Sequence, residues 1–231
     1  AQARRTGDAG EDLMGMLMSA TDDEADGGKG MTDAQLRDEV LTLVGAGHET
    51  TANALVWTFT LLSQHPDVAR KVRAEVQQVA GDRTLTLEDY PRLTYTLQVI
   101  KESMRLFPPV WMIERQALGA DEVGGWKIAP KTIIGACIHT MHRNPRFWRN
   151  PEGFDPDRFT PEREAERPRY AYIPFGAGPR QCIGNHFAMM EAVLLTATIA
   201  RRFDLELMPG HRIALDPGVT LRPRDGLPLR R

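Results

Sequence analysis

The sequence is poor in cysteine and lacks any long apolar run. Its two cysteines among 231 residues, Cys137 and Cys182, are far apart. A disulfide framework is therefore not expected, and a reducing cytoplasm is the expected location. No uninterrupted apolar run approaches the roughly 20 residues that span a bilayer, so no membrane segment is expected in this chain.

The sequence also lacks an excess of either charge. The 29 basic and 31 acidic residues nearly cancel, which leaves a formal net charge of -2. Binding to phosphates normally needs an excess of Lys and Arg, so the balance argues against a nucleic-acid partner. A hydrophobic content of 42% suffices for one sizeable core, with room for a division into two subdomains.

The apolar periodicity predicts a mainly helical chain. A short helix around Leu13 and a linker over residues 21–30 precede a capping box, formed by Thr32 and Gln35, that opens one long helix ending before Pro66. Apolar residues leave little of that helix polar, so it is expected to be buried on several sides. They are Leu41, Leu43, Val44, Leu55, Trp57, Leu61 and Leu62.

The remainder combines helices with short extended runs. Further helices are predicted over residues 66–80, 93–106 and 185–203, with a small sheet between them over 110–137 and a terminal hairpin. The fold class is therefore mainly α with small β-sheets. The expected regions are 1–31 (helix and linker), 32–109 (helical), 110–141 (sheet), 142–184 (irregular meander and Gly-rich loop) and 185–231 (helix and hairpin).

The most specific segment is F-G-A-G-P-R-Q-C-I-G at residues 175–184, which leads directly into a helix. A thiolate at a helix N-terminus is stabilised by the dipole and by free N–H groups, so Cys182 is suited to bind a metal. Arg180 beside it can hold a carboxylate of a ligand. Gly176 and Gly178 permit turns, and Gly184 would let the helix pass a flat ligand.

Other interpretations of the loop remain open on the residues alone. Free cysteines often act as small buried hydrophobes. A phosphate-binding loop would end in Lys-Ser/Thr and would not contain Pro179. A zinc site needs more nearby ligands than His186 supplies. None of these alternatives explains the whole segment.

Three further segments precede the cysteine loop: A-G-H-E-T-T at residues 46–51, E-S-M-R at 102–105 and F-D-P-D-R-F at 154–159. With the cysteine loop they make the chain similar to the cytochrome P450 haem-thiolate monooxygenases. The resemblance implies the C-terminal part of that fold, from just before the long central helix to the terminal hairpin. It also implies haem b as cofactor, with Cys182 as the ligand of its iron.

The A-G-H-E-T-T segment lies within the predicted long helix. Gly47 there costs up to about 1 kcal/mol relative to Ala. A Thr50 hydroxyl bonded back to a carbonyl would bend the helix and open a groove, although simple packing of Thr50 and a solvated Glu49 is the ordinary reading. The resemblance implies that Glu49 and Thr50 deliver protons during oxygen activation.

Glu102 and Arg105, by spacing alone, indicate a surface ion pair worth about 0.2 to 0.5 kcal/mol. The resemblance instead implies a buried network completed by Arg158. Asp157 is a mild departure, because the family most often has Glu there. Residues 142–145 and Trp148 also match the family, and we assign them structural roles only.

The remaining site residues follow from the resemblance. Cofactor contacts are expected from Ala46, Gly47, Arg115, Phe175, Gly176, Gly178, Arg180, Ile183 and Gly184. Residues 110–113 would ordinarily be core, but the resemblance places Val110, Met112 and Val219 around a substrate.

The expected function is insertion of one atom of dioxygen into a small, apolar organic substrate. Electrons would come from a ferredoxin or a flavoprotein reductase. Candidate docking cations are Arg143, Arg146, Arg149 and Arg180, although a solvated charged surface is the commoner explanation of such residues. The alternatives are a haem-thiolate peroxygenase or isomerase, which needs no electron partner, and a non-catalytic helical binding module. The resemblance also predicts that the chain is an incomplete portion of the enzyme and that it binds haem poorly by itself.

Overall fold

The computed structural model describes residues 12–22 and 29–231. The chain divides into two compact units, Ala1–Glu49 and Thr50–Arg231. Helices predominate, as the sequence predicts. They are α1 (Leu13–Ser19), α2 (Asp33–Gln64), α3 (Pro66–Ala80), α4 (Thr94–Leu106), α5 (Ile138–Met141), α6 (Pro161–Ala165) and α7 (Asn185–Arg202). Short 3-10 turns occupy Leu87–Arg92, Pro156–Phe159, Arg169–Ala171 and Gly178–Arg180.

The first unit contains α1, a short ladder and the start of α2. Within the predicted linker, β1 (Thr21–Asp22) pairs antiparallel with β2 (Lys29–Gly30). Residues 1–11 and 23–28 of the predicted helix and linker lie outside the described part of the chain. The capping box is present, because the Thr32 N–H donates to Gln35 Oε1 at 2.9 Å and the Gln35 N–H donates to Thr32 Oγ1 at 3.2 Å.

Helix α2 is one continuous α-helix of 32 residues, but its two halves differ in burial. Leu41 and Val44 in the first half are 64% and 66% exposed. The expectation that the whole helix is buried on several sides is therefore wrong at Leu41 and Val44, although Leu36 in the same half is buried. In the second half Trp57 and Leu61 are buried, as expected.

The core of the second unit lies among α3, α4 and α7. Val72, Val99 and Val193, one from each helix, are fully buried. Helix α3 ends at Gly81, whose φ of 55° suits glycine. The Glu75 carboxylate then accepts hydrogen bonds from the N–H groups of Tyr95 and Thr96 at 2.6 and 2.8 Å. These bonds satisfy free donors at the start of α4 and join it to α3.

All strands form two-stranded antiparallel pairs in the described part of the chain. Strand β3 (Met112–Gln116) pairs with β6 (Ile133–Cys137), and β4 (Asp121–Val123) with β5 (Trp126–Ile128). Strands β8 (Leu215–Pro217) and β9 (Leu221–Pro223) form the predicted terminal hairpin, and β7 (Glu206–Leu207) pairs with β10 (Leu229–Arg230). Over residues 12–22 and 29–231, no helix has both the length and the apolar content to span a membrane.

Candidate functional site

The cysteine loop, residues 175–184, is a tightly turned segment that presents Cys182 to solvent. Gly176 and Gly178 have φ values of 72° and 73°, which side-chain-bearing residues rarely adopt. The Cys182 N–H donates to the Phe175 carbonyl at 2.9 Å and closes the loop. Helix α7 begins at Asn185, with two residues between it and the cysteine. The predicted position of a thiol just before a helix is therefore present.

The sulfur of Cys182 lies near Gly184, which has no side chain. A Cβ added at Gly184 would meet only Cys182 Sγ, at 3.9 Å, among the described atoms. Ile183 is 90% exposed, and Arg180 is also exposed. Within residues 180–183 the loop thus carries an exposed cation, an exposed free thiol and an exposed apolar side chain.

Glu102, Arg105 and Arg158 form one buried charge cluster. Arg105 Nε and Nη2 donate to Glu102 Oε2 and Oε1 at 2.6 and 2.8 Å, and Arg158 Nε donates to Glu102 Oε1 at 3.2 Å. Glu102 and Arg105 are fully buried. The surface ion pair that spacing alone indicates is therefore wrong, and the buried network implied by the resemblance is present.

Backbone carbonyls of the meander complete the charge cluster. The Arg105 guanidinium also donates to the carbonyls of His142, Pro151 and Gly153 at 3.0, 2.6 and 3.0 Å. Arg158 donates to the carbonyls of Arg149 and Asn150. Because both charges of each ion pair are buried and hydrogen-bonded, the cluster specifies one geometry for helix α4 and the meander.

The residues predicted to surround a substrate lie on adjoining segments of the second unit. The Leu221 N–H donates to the Pro109 carbonyl at 2.8 Å, and Trp111 Nε1 donates to the Gly218 carbonyl at 2.9 Å. These bonds hold the terminal hairpin against the segment that bears Val110 and Met112. Val219 at the hairpin turn is 95% exposed, and Arg115 on β3 is exposed with Nη1 donating to the Glu114 carbonyl at 2.7 Å.

The predicted proton-delivery residues lie on α2. Ala46, Gly47 and Glu49 are exposed in the first unit, and Thr50, the first residue of the second unit, is half-buried. A Cβ at Gly47 would meet no atom within 4 Å other than nearby backbone of its own helix. The roles of Glu49 and Thr50 in proton delivery, and of Ala46 and Gly47 in cofactor binding, stay predictions.

Arg143 differs from the other candidate docking cations. Its side chain is only 14% exposed, with Nε 3.1 Å from Glu152 Oε2 and its guanidinium 5.6 Å from the centre of the Phe107 ring. Arg146, Arg149 and Arg180 are exposed. Arg143 is therefore a packing residue, because its charge is turned inward to a carboxylate and an aromatic face.

Sequence reasoning gave His142 only a structural role. The residue is fully buried, and its Nε2 accepts a hydrogen bond from the Ile173 N–H at 2.9 Å. Burial lowers the pKa of His142 to about 3, although the carbonyls of Met104 and Arg105 oppose that shift. The only signal in the sequence was its place in H-R-N-P, which does not reveal the contact.

Comparisons with known proteins identify the family. The profile of the family "Cytochrome P450" matches residues 2–226. The chain belongs to the cytochrome P450 family.

Named relatives carry the comparison further. "Cyclooctatin synthase" of Streptomyces melanosporofaciens is 41% identical over 220 residues, which are 95% of this chain and 47% of the relative. "Cyclooctat-9-en-7-ol 5-monooxygenase" of the same organism is 42% identical over 209 residues, which are 90% of this chain and 45% of the relative. The chain thus spans about half the length of the curated relatives it matches.

The fold of the chain also matches that of solved structures. The crystal structure of the cytochrome P450DA heme domain superposes with a TM-score of 0.91 at 34% identity, covering 99% of this chain and 51% of that chain. The predicted cytochrome P450 fold is confirmed, over about half of the length of the solved heme domain.

The residues present suit the haem that the family implies. Cys182 supplies a soft thiolate, the ligand type that holds haem iron in P450 enzymes. Gly184 leaves the space beside its sulfur free of a side chain. Arg180 and Arg115 are exposed cations of the kind that bind carboxylates in a forked geometry.

Proposed function

We propose that this chain is the thiolate-bearing part of a monooxygenase that inserts one atom of dioxygen into a small, apolar organic substrate. The observation that carries the proposal is the exposed Cys182 thiol on its glycine-turned loop, immediately before α7. The monooxygenase named among its relatives supports the reaction class.

The chain's own residues would hold the cofactor. Cys182 would bind the iron of haem b, and Arg180 and Arg115 would bind its carboxylates. Ala46, Gly47, Phe175, Gly176, Gly178, Ile183 and Gly184 would contact the macrocycle. Bound haem would supply oxygen activation, and thiolate ligation favours cleavage of the O–O bond.

Proton supply and substrate placement would fall to other residues. The Glu49 carboxylate and the Thr50 hydroxyl would hold and pass the two protons that accompany reduction of each dioxygen. Val110, Met112 and Val219 would orient an apolar substrate and exclude water from it. The charge cluster of Glu102, Arg105 and Arg158 would keep the meander in place beside the cysteine loop.

Electrons would come from a ferredoxin or a flavoprotein reductase. The exposed cations Arg146, Arg149 and Arg180 support docking of an acidic partner. Both cysteines are free thiols, which supports a reducing compartment such as the cytoplasm.

A haem-thiolate peroxygenase is the second candidate. Its reaction takes both oxygen and oxidising equivalents from peroxide, so it needs neither an electron partner nor a proton relay. The acid and hydroxyl at Glu49 and Thr50 favour the monooxygenase. Turnover by the holoenzyme with a reductase but not with peroxide would decide between the two.

The decisive test is the carbon-monoxide difference spectrum of the reduced holoenzyme. We expect the thiolate signature in the native protein, its loss in Cys182→Ser and its retention in the control Cys137→Ser. An unchanged spectrum in Cys182→Ser would refute the proposal, as would a native protein that binds no haem.

A further inference from the structure

His142 lies between the charge cluster and the cysteine loop. Its backbone carbonyl accepts a hydrogen bond from Arg105 Nη1 at 3.0 Å, and its ring Nε2 accepts one from the Ile173 N–H at 2.9 Å. One residue is therefore bonded to the cluster through its main chain and to the segment before the loop through its side chain.

The hydrogen bonds continue from Ile173 to the cysteine. The Gly176 N–H donates to the Ile173 carbonyl at 3.0 Å, in the turn where Gly176 has a positive φ. The Cys182 N–H then donates to the carbonyl of Phe175 at 2.9 Å. The series of hydrogen-bonded residues from Arg105 to Cys182 thus passes through His142, Ile173 and the first turn of the loop.

The imidazole is held on two sides by aromatic rings. Its centroid lies 5.0 Å from the Tyr172 ring and 6.4 Å from the Trp148 ring. Trp148 in turn stacks with the Arg105 guanidinium at 5.0 Å. Because these neighbours fix the ring, the position of Nε2 is fixed relative to the charge cluster.

We propose that His142 is a positioning residue that transmits the geometry of the buried charge cluster to the cysteine loop, with its ring Nε2 as the fixed acceptor for the Ile173 N–H. The inference rests on the proposed role of Cys182 as haem ligand and extends it to the residue that orients the loop.

The protonation state of the ring agrees with this role. Burial lowers the pKa of His142 to about 3, and the charge of Arg105 lowers it further. The ring is therefore neutral near pH 7. Since Nε2 accepts a hydrogen bond, the proton must be on Nδ1.

A purely structural histidine would give a different pattern of variant effects. His142→Leu removes the acceptor but retains an apolar side chain. His142→Gln keeps an acceptor, because its amide oxygen can reach the position of Nε2. Leucine at a packing site would be tolerated at least as well as glutamine, whereas a positioning role requires that only glutamine rescue the loop.

The first experiment records the carbon-monoxide difference spectrum of the reduced holoenzyme for both variants. Loss of a hydrogen bond from the half-buried Ile173 N–H costs roughly 0.5 to 1.5 kcal/mol, about a 2- to 13-fold change in an equilibrium. We therefore expect the ratio of protein without the thiolate signature to protein with it to rise by about that factor in His142→Leu. His142→Gln should restore most of the native ratio.

The matched control is His139→Leu. His139 is a half-buried histidine three residues earlier, and its Nε2 makes no hydrogen bond to any of the described residues. We expect this variant to keep the native spectrum. Equal spectra for native protein, His142→Leu and His142→Gln would overturn the inference, and so would equal damage by His139→Leu and His142→Leu.

A second measurement does not depend on how well a variant folds. In the native holoenzyme labelled with 15N-isoleucine, the Ile173 amide should exchange with solvent at least about tenfold more slowly than an open loop amide, because it is bonded to a buried acceptor. Exchange at the open-loop rate would overturn the inference. A native protein without the thiolate signature would instead refute the proposed function, so the two failures are distinguishable.

Discussion

The charge cluster and the cysteine loop belong to the same unit but are built in opposite ways. All five guanidinium N–H groups of Arg105 are engaged by Glu102 and three carbonyls, and no part of either side chain reaches solvent. Cys182 is exposed, and Ile183 beside it is almost fully so. The charges of the cluster are satisfied by hydrogen bonds to other protein groups, whereas the loop leaves its thiol accessible to solvent.

The difference indicates that the cluster and the loop have separate roles within the unit. Buried, fully bonded charges have a narrow range of geometries, since any displacement leaves a charge without a partner. An exposed thiol has no such constraint and needs a rigid support to hold its position. Variants of the cluster should therefore act mainly on folding, whereas variants of the loop should also act on the cofactor.

The largest expected effect is that of Glu102→Gln. The change leaves Arg105 and Arg158 without their shared counter-charge, so the free energy of unfolding should fall by roughly 3 to 5 kcal/mol. Denaturant unfolding measures it. Glu206→Gln, which breaks the exposed pair with Arg230, should cost no more than about 1 kcal/mol. Equal losses in the two variants would contradict the conclusion that the buried cluster fixes the geometry of α4 and the meander.

The second effect concerns pH and His142. Its pKa is about 3 in the folded protein against an ordinary 6.5, so the unfolded chain binds the proton first as the pH falls. Above about pH 6.5 the ring is neutral in both states, so the free energy of unfolding is not reduced by this difference in pKa. Between 6.5 and 3 it should decline by up to about 1.4 kcal/mol per pH unit.

Carboxylates titrate in the same window, so the comparison is between native protein and His142→Gln. Unfolding at a series of pH values should give a shallower decline for the variant. Parallel curves would show that His142 is not held neutral by burial.

A smaller effect is expected from Gly176→Ala in the loop. Its φ of 72° lies in the left-handed region, where a side chain costs roughly 1 to 2 kcal/mol. We expect that loss in unfolding experiments together with a weaker thiolate signature. Gly119→Ala is the control, because Gly119 has open space and no positive φ, and it should change stability by less than about 0.5 kcal/mol.

The smallest effect on folding should come from Ile183→Ser. The side chain is 90% exposed, so the free energy of unfolding should change by less than about 0.5 kcal/mol. Haem affinity, measured by titration of the apoprotein, should nevertheless decrease. Leu118→Ser, at a fully exposed leucine, should alter neither quantity. A similar loss of haem affinity in this control would contradict a specific role of Ile183 in haem binding.

Local signals predicted the helices well. The Thr32 and Gln35 capping box, the end of α3 at Gly81 and the start of α7 after the cysteine loop all occur where the sequence indicates. Each depends on hydrogen bonds or dihedral angles within a few residues. The burial of α2 was predicted less well. Apolar residues indicate that a helix face can be buried, but they do not identify the element that covers it.

The candidate site shows the same limit. The cysteine loop was found from its own ten residues, and the partners of Glu102 were found only through the family resemblance. The inward turn of Arg143 and the bond from Ile173 to His142 were missed. Both depend on packing of the meander against α4, which no local pattern encodes.

The sequence by itself determined the helix boundaries, the glycine-turned cysteine loop and the family, because these depend on bonds and spacings between near neighbours. Only the tertiary structure decided which charges are buried and which are open. Glu102 and Arg158 are 56 residues apart, and their partnership exists only once α4 and the meander pack together. Desolvation is a property of that packing, and it turned an ordinary helical ion pair into the buried support of the loop.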